Sequence, residues 1–163
     1  VPNHGLGMSA QRPTVIQAQA CMGTADSALM SEAIALLEAR YEVRRHEVAA
    51  AARLEDGRVV TGIHVEASQG RASICAESGV ASAAVAVGLR VVSLVAVVRR
   101  PDGTDHLIEP CGVCAELLAE MWPSARVWAG KAGDPAAVTA EELLPYRHQR
   151  IGRLTTPFKE DPA

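Results

Sequence analysis

The chain has 163 residues and a formal net charge of −3 with mixed signs and no polybasic run, which argues against a nucleic-acid backbone or an anionic membrane surface as partner. Its longest apolar run, Val91 to Val98, is too short to cross a bilayer, and no charged start followed by an apolar block marks a signal peptide, so a reducing cytoplasm is the expected compartment. With Phe 1, Trp 2 and Tyr 2, the core falls to Ala, Val, Leu and Ile, a composition that suits helices packed on a sheet. The length predicts a single domain over residues 13–150. Residues 1–12 read as a tag or disordered start, of which Val1 to Gly7 are set aside from the functional argument, and 151–163 read as a loose tail with two prolines.

The first helix is expected over Thr24–Arg40, where Leu29, Ile34, Leu36 and Leu37 recur at roughly helical spacing behind a Thr24 or Asp26 cap. Cys21 precedes it with no partner at ligand spacing and reads as a plain small thiol. His46–Leu54 and Val59–Val65 flank Glu55-Asp56-Gly57-Arg58 and predict a hairpin. A loop over Glu66–Arg71 leads to a helix over Cys75–Leu89 that stops near Gly88, with Cys75 and Glu77 in its first turn. Val91–Arg99 reads as a buried central strand closed by Pro101-Asp102-Gly103. Cys111–Met121 starts the next helix, Arg126–Ala129 forms a short strand, and Thr139-Ala140-Glu141-Glu142 is a capping box for a short helix that Pro145 ends. This alternation predicts an α/β sandwich with a helix on each side of the cysteine cluster.

Cys75-Ala76-Glu77 and Pro110-Cys111-Gly112-Val113-Cys114 carry the chemistry. Three cysteines in a non-secreted chain suit thiolate ligation of Zn2+ better than disulfides, and a redox dithiol would leave Cys75 unexplained. Three ligands leave a position for water, and a nearby carboxylate that is not a ligand, Glu77, can move that water's protons. A fourth ligand from His46, His64 or His106 would instead close the site and make it structural. Helix starts at Cys75 and at the Cys111/Cys114 pair aim backbone N–H groups at the sulfurs and favour the thiolates. Three thiolates still call for a positive neighbour, and Arg71, four residues before Cys75, is the charge-balancing candidate.

With those motifs the chain resembles the cytidine deaminase superfamily, and within it the blasticidin S deaminases, over about Tyr41 to Arg150. His46-Glu47-Val48-Ala49-Ala50-Ala51, Asp56-Gly57-Arg58, Thr61-Gly62-Ile63-His64-Val65-Glu66-Ala67, Gly70-Arg71 and the two zinc motifs fall in the family's order. Glu141-Glu142-Leu143-Leu144-Pro145 completes it. The resemblance implies a three-layer α/β/α fold with a central mixed sheet of about five strands, and a zinc aminohydrolase releasing ammonia from a small-molecule cytosine nucleoside. It implies Cys75, Cys111 and Cys114 as ligands, Glu77 as proton shuttle, and His46, His64, Glu66, Ala76 and Tyr146 at the substrate, with Tyr146 closing a neighbour's pocket in a homotetramer.

Ordinary members carry Asn where His64 stands, Phe where His46 stands and Arg where Ser78 stands. An imidazole at position 64 could bond an anionic sugar group, and blasticidin S carries a carboxylate on its sugar where cytidine has a hydroxymethyl; Glu66 would hold a sugar hydroxyl or that antibiotic's cationic tail. Three alternatives stay open: a cytidine or deoxycytidine salvage enzyme, a deaminase of another modified nucleoside, and a zinc-stabilised binding protein without turnover. His46 and His64 could also be satisfied strand residues. His4, His106 and His148 read as solvated, and Trp122 and Trp128 as core or subunit-interface residues.

Overall fold

The computed structural model describes residues 12–131 and 133–148. Residues 1–11 of the expected start over 1–12 and the tail 151–163, with Gln149 and Arg150 of the expected domain, lie outside the described residues. In chain order the elements are α1 (Val15–Cys21), α2 (Thr24–Arg40), β1 (Val48–Leu54), β2 (Val59–Ile63) and α3 (Ala76–Val87). There follow β3 (Val91–Arg99), β4 (Asp105–Leu107), α4 (Gly112–Met121), β5 (Arg126–Lys131) and β6 (Asp134–Thr139), with single 3-10 turns at Gly70–Ala72 and Glu141–Leu143.

Six strands form one mixed sheet, where about five were expected. The order is β2-β1-β3-β5-β6, all antiparallel except β3 with β5. β4 pairs with the end of β3 at Val97, Val98 and Arg99, while β5 pairs with its beginning at Ser93 and Leu94. Strand periodicity then sorts the central residues onto two faces. Ala50, Ala52, Leu54, Leu94, Ala96 and Val127 pack under α3 and α4. Ala49, Ala51, Val95, Val97 and Trp128 pack under α1 and α2. The result is three layers, α/β/α, and the run of four alanines in β1 lets helices on both faces come close. No helix among the described residues is long and apolar enough to cross a membrane.

The expected hairpin turns on Gly57 with φ +88, a left-handed conformation that suits glycine. α3 ends where expected, on Gly88 in the αL conformation. Three elements were not anticipated: α1, β4 and β6. The expected Thr139 capping box is only half made: the Thr139 N–H and hydroxyl both donate to Glu142 at 2.7 and 2.9 Å, no side chain caps the turn, whose N-cap is Ala140, and it opens only a single 3-10 turn.

Neither expected cap of α2 acts as one. Gly23 is the N-cap, and Asp26 turns inward instead. Its carboxylate, 3% exposed, accepts from Arg53 Nη2 at 2.8 Å, Trp128 Nε1 at 2.9 Å, Ser93 Oγ at 3.0 Å and Arg126 Nη1 at 3.1 Å. Four donors from β1, β3 and β5 thus pin α2 to the sheet. Burial pushes the Asp26 carboxyl up, and the bonds from Trp128, Arg53 and Ser93 outweigh it, leaving the pKa below its ordinary value.

Candidate active site

Two helix starts converge at one end of the sheet. Beyond β2, Val65 and Ile74 exchange both backbone hydrogen bonds at 2.9 Å, which folds the segment entering α3 back beside the strand and sets Cys75 next to the His64 region. Cys75 is the N-cap of α3. Gly62 lets that helix lie directly on β2, because a Cβ there would come within 2.2 Å of the Ala76 carbonyl oxygen and 2.8 Å of the Val80 nitrogen. On the other side, Ile108 donates to the Ala96 carbonyl at 3.0 Å, and buried Pro110 leads into Cys111, the N-cap of α4.

These starts bring Cys75, Cys111 and Cys114 together with all three sulfurs within 4.8 Å of one another. Cys75 Sγ and Cys111 Sγ lie 3.6 Å apart, far beyond a disulfide bond. Tetrahedral zinc with Zn–S bonds of about 2.3 Å would set its sulfurs about 3.8 Å apart, so the residues fit the ion in number, type and spacing. Among the described residues no histidine joins this group. His46 and His106 are engaged elsewhere, with the His64 carbonyl and the Arg12 carbonyl respectively.

The sulfurs are not equivalent. Burial raises Cys111, but the backbone N–H groups of Cys114 and Val113 and the neighbouring sulfurs bring it below the ordinary thiol value. Burial, then contact with Cys111, raises Cys75; burial raises Cys114 further, against the pull of the Ser78 hydroxyl 3.4 Å from its sulfur. Ser78 was passed over in the sequence reading except as the absence of an arginine. Arg71 is exposed on the 3-10 turn and makes no hydrogen bond or ion pair among the described residues, so the contacts to the sulfurs come from backbone N–H groups and a hydroxyl.

Glu77, in the first turn of α3, is 5% exposed. Burial lifts its carboxyl above the ordinary range, and its own backbone N–H, the Cys114 side chain and His64 only partly offset this. It lines a cleft of about 330 Å³ with Cys75, Ala76, Cys111, His64, Val48 and Ile108. That volume lies within the range of small-molecule sites.

His64 Nε2 donates to Glu66 Oε2 at 3.0 Å, and Glu66 Oε1 accepts from Ser73 Oγ at 3.1 Å. With Nε2 so engaged, Nδ1 is the free ring atom; it is buried and has no partner in the protein. His46 is no cleft residue. A carbonyl can only accept, so its Nδ1 donates to the His64 carbonyl at 2.8 Å and braces the segment just past β2 that carries His64. Glu66 stands behind His64 and does not line the cleft, and Tyr146 is 99% exposed and does not line it either. The charged lining that sequence reasoning missed is Arg12, Glu47 and Glu109. Arg12 sits in the stretch expected to be a tag or disordered start, and Glu109, which adjoins Pro110 of the zinc motif, was given no role.

The family model for the cytidine and deoxycytidylate deaminase zinc-binding region matches residues 23–130. The chain is 33% identical over 115 residues to the blasticidin-S deaminase of Bacillus cereus, covering 68% of this chain and 82% of that protein. It is 35% identical over 120 residues to a cytidine deaminase of Halalkalibacterium halodurans, covering 72% and 89%. Among solved structures, the cytidine deaminase from Bacillus anthracis superposes with a TM-score of 0.65 at 26% identity, covering 75% of this chain and 88% of that one. The motif, the three-layer fold and the convergent helix starts agree with these likenesses, and the chain belongs to the zinc-binding cytidine and deoxycytidylate deaminase family.

Proposed function

We propose that this protein is a zinc-dependent aminohydrolase that converts a cytosine nucleoside and water into the uracil nucleoside and ammonia, with blasticidin S as the favoured substrate. The observation that carries this is the buried Glu77 carboxyl in a nucleoside-sized cleft, beside a sulfur group that, among the described residues, supplies three ligands and no more. Cys75, Cys111 and Cys114 would hold the zinc, whose Lewis acidity activates the attacking water. Glu77 accepts a proton from that water, passes it to the ring nitrogen, and carries the second proton to the departing amine. The Ala76 backbone, at the same helix start, offers a polar contact to the base. Val48 and Ile108 supply an apolar wall against which the ring can lie.

The relative from Bacillus cereus favours blasticidin S, and His64 Nδ1, an acceptor while Nε2 donates to Glu66, can take a hydrogen bond from a donor group on the sugar side. Cytidine or deoxycytidine is the second reading, favoured by the Halalkalibacterium relative. Ammonia release from each compound, measured on the zinc-loaded protein and on Glu77→Gln, tests both. Retained zinc with lost turnover supports Glu77 as the shuttle. A wild-type protein that deaminates no cytosine compound would return the fold to a zinc-stabilised binding protein.

A further inference from the structure

Among the described residues, four buried side-chain polar atoms have no hydrogen-bond partner in the protein: Arg12 Nε, Tyr41 Oη, His64 Nδ1 and Glu109 Oε2. Three of the four belong to residues lining the one cleft that holds Glu77. Native proteins leave few such groups, so their concentration at a single cavity points to a ligand that completes them.

Arg12 and Glu109 are the unassigned pair. Arg12 Nη2 donates to Glu109 Oε1 at 3.0 Å, a single bond where an arginine and a carboxylate commonly make two in parallel. Arg12 is held there by its own backbone. Leu107 donates to the Pro13 carbonyl at 3.0 Å, His106 Nδ1 to the Arg12 carbonyl at 3.1 Å, and Thr14 bridges to His106. Beneath this strap lies Gly130, where a Cβ would meet Pro13 Cδ at 2.5 Å. Glu109, two residues before Cys111, and Glu47 add two carboxylates to the lining against the one guanidinium, and one Glu47 oxygen is taken by the Arg44 backbone N–H at 2.9 Å.

A ligand that satisfies this lining brings an acceptor to Arg12 and a donor to Glu109. We infer that Arg12 and Glu109 are the specificity-determining pair of the cleft, selecting a nucleoside whose sugar side carries both an anionic and a cationic group. This rests on the deaminase reading above and extends it to the recognition of charge. An incoming carboxylate takes the guanidinium's open edge, and Glu109, relieved of Arg12, takes the cation. Plain cytidine carries neither charge, and against it the pair stays closed on itself.

The test compares kcat and KM for blasticidin S, for its carboxylate methyl ester and for cytidine, using the full zinc-loaded chain, Arg12→Gln and Glu109→Gln. Each substitution is expected to lower the preference for blasticidin S over cytidine about tenfold or more, through KM. Esterification is expected to cost the wild type a similar factor and Arg12→Gln nothing further. An unchanged preference, with both substrates losing equally, would show that the pair only fastens the strap and overturns the inference, as would a wild type that prefers cytidine. A wild type that releases ammonia from none of the three overturns the deaminase reading instead. Calorimetric titration with blasticidin S then decides the pair by itself: weaker binding by both variants upholds it, and equal binding overturns it.

Discussion

Asp26 and Glu77 are two buried carboxylates in the first turns of two helices, on opposite faces of one sheet. Asp26 is surrounded by four donors from three strands, and its pKa falls despite burial. Glu77 faces a cleft, with sulfurs and one imidazole nearby and, among the described residues, no arginine or lysine bonded to it, and its pKa rises. Burial is shared; the supply of donors differs. Where the donors are saturated, the carboxylate fastens the fold, and where they are withheld, it is left able to exchange a proton.

The largest expected effects come from neutralising each group in turn. Glu77→Gln should lower deamination by about 10²- to 10⁴-fold, the usual contribution of general acid–base catalysis, without lowering the unfolding free energy, because a neutral amide is cheaper to bury than an uncompensated carboxylate. Asp26→Asn should do the reverse. It leaves two arginines and a tryptophan N–H facing a weaker acceptor, at a cost of about 3–5 kcal/mol, with turnover per folded molecule preserved. Urea unfolding and single-substrate rates on both variants check the crossing, and a folded but inactive Asp26→Asn would break the contrast.

Gly62 tests whether the helix under Glu77 is set by its contact with β2. Gly62→Ala drives a methyl into the Ala76 carbonyl and the Val80 nitrogen, and the start of α3 has to lift. A loss of about 1–3 kcal/mol is expected, with zinc retained less well, because Cys75 moves with that turn. Gly79→Ala is the control: its Cβ would sit at an ordinary 3.5 Å from Gly62 Cα, and helix propensity alone favours it by about 1 kcal/mol. Zinc content after dialysis and the unfolding midpoint separate the two.

Acid sharpens the other half of the contrast. The folded-state pKa of Asp26 lies below its ordinary value of 3.8, so its stabilisation is full above that value and is lost as pH falls through the folded one. The stability gap between wild type and Asp26→Asn should therefore be widest near neutral pH and shrink below about pH 4. Glu55, Asp56, Asp102 and Glu142, also held low, act equally in both proteins and cancel in the difference. A gap that stays constant to pH 3 would remove the ionised Asp26 from the account.

The two regions also differ in how much the sequence reveals of them. Thiolate ligation demands particular residue types at short spacings, so Cys75, Glu77, Cys111 and Cys114 could be read as a unit, and the long apolar runs of α2, α3, β1 and β3 announced the layers. Asp26 looked like a cap because its partners lie 27, 67, 100 and 102 residues away. Arg12 and Glu109, 97 residues apart, are ordinary charged residues until the chain folds. β4 has three residues and β6 contains Pro135, and neither has the alternating apolar pattern by which a strand is recognised. Local chemistry was legible, and long-range charge pairing was not.

The smallest expected effect concerns what steadies the sulfurs. An arginine four residues before Cys75 was the sequence expectation, yet the hydroxyl of Ser78 lies 3.4 Å from Cys114 Sγ while Arg71 points no bond at the cluster. One hydrogen bond to a thiolate is a modest contribution, and removing a partner of this kind typically weakens metal binding by about tenfold. Ser78→Ala should therefore release zinc about tenfold more readily to a competing chelator, with its unfolding midpoint nearly unchanged. Arg71→Ala, whose charge reaches the sulfurs only through solvent, should stay within about twofold of wild type. The opposite ranking would return the charge-balancing role to Arg71, and with it the idea that a cation rather than hydrogen bonds offsets the three thiolates.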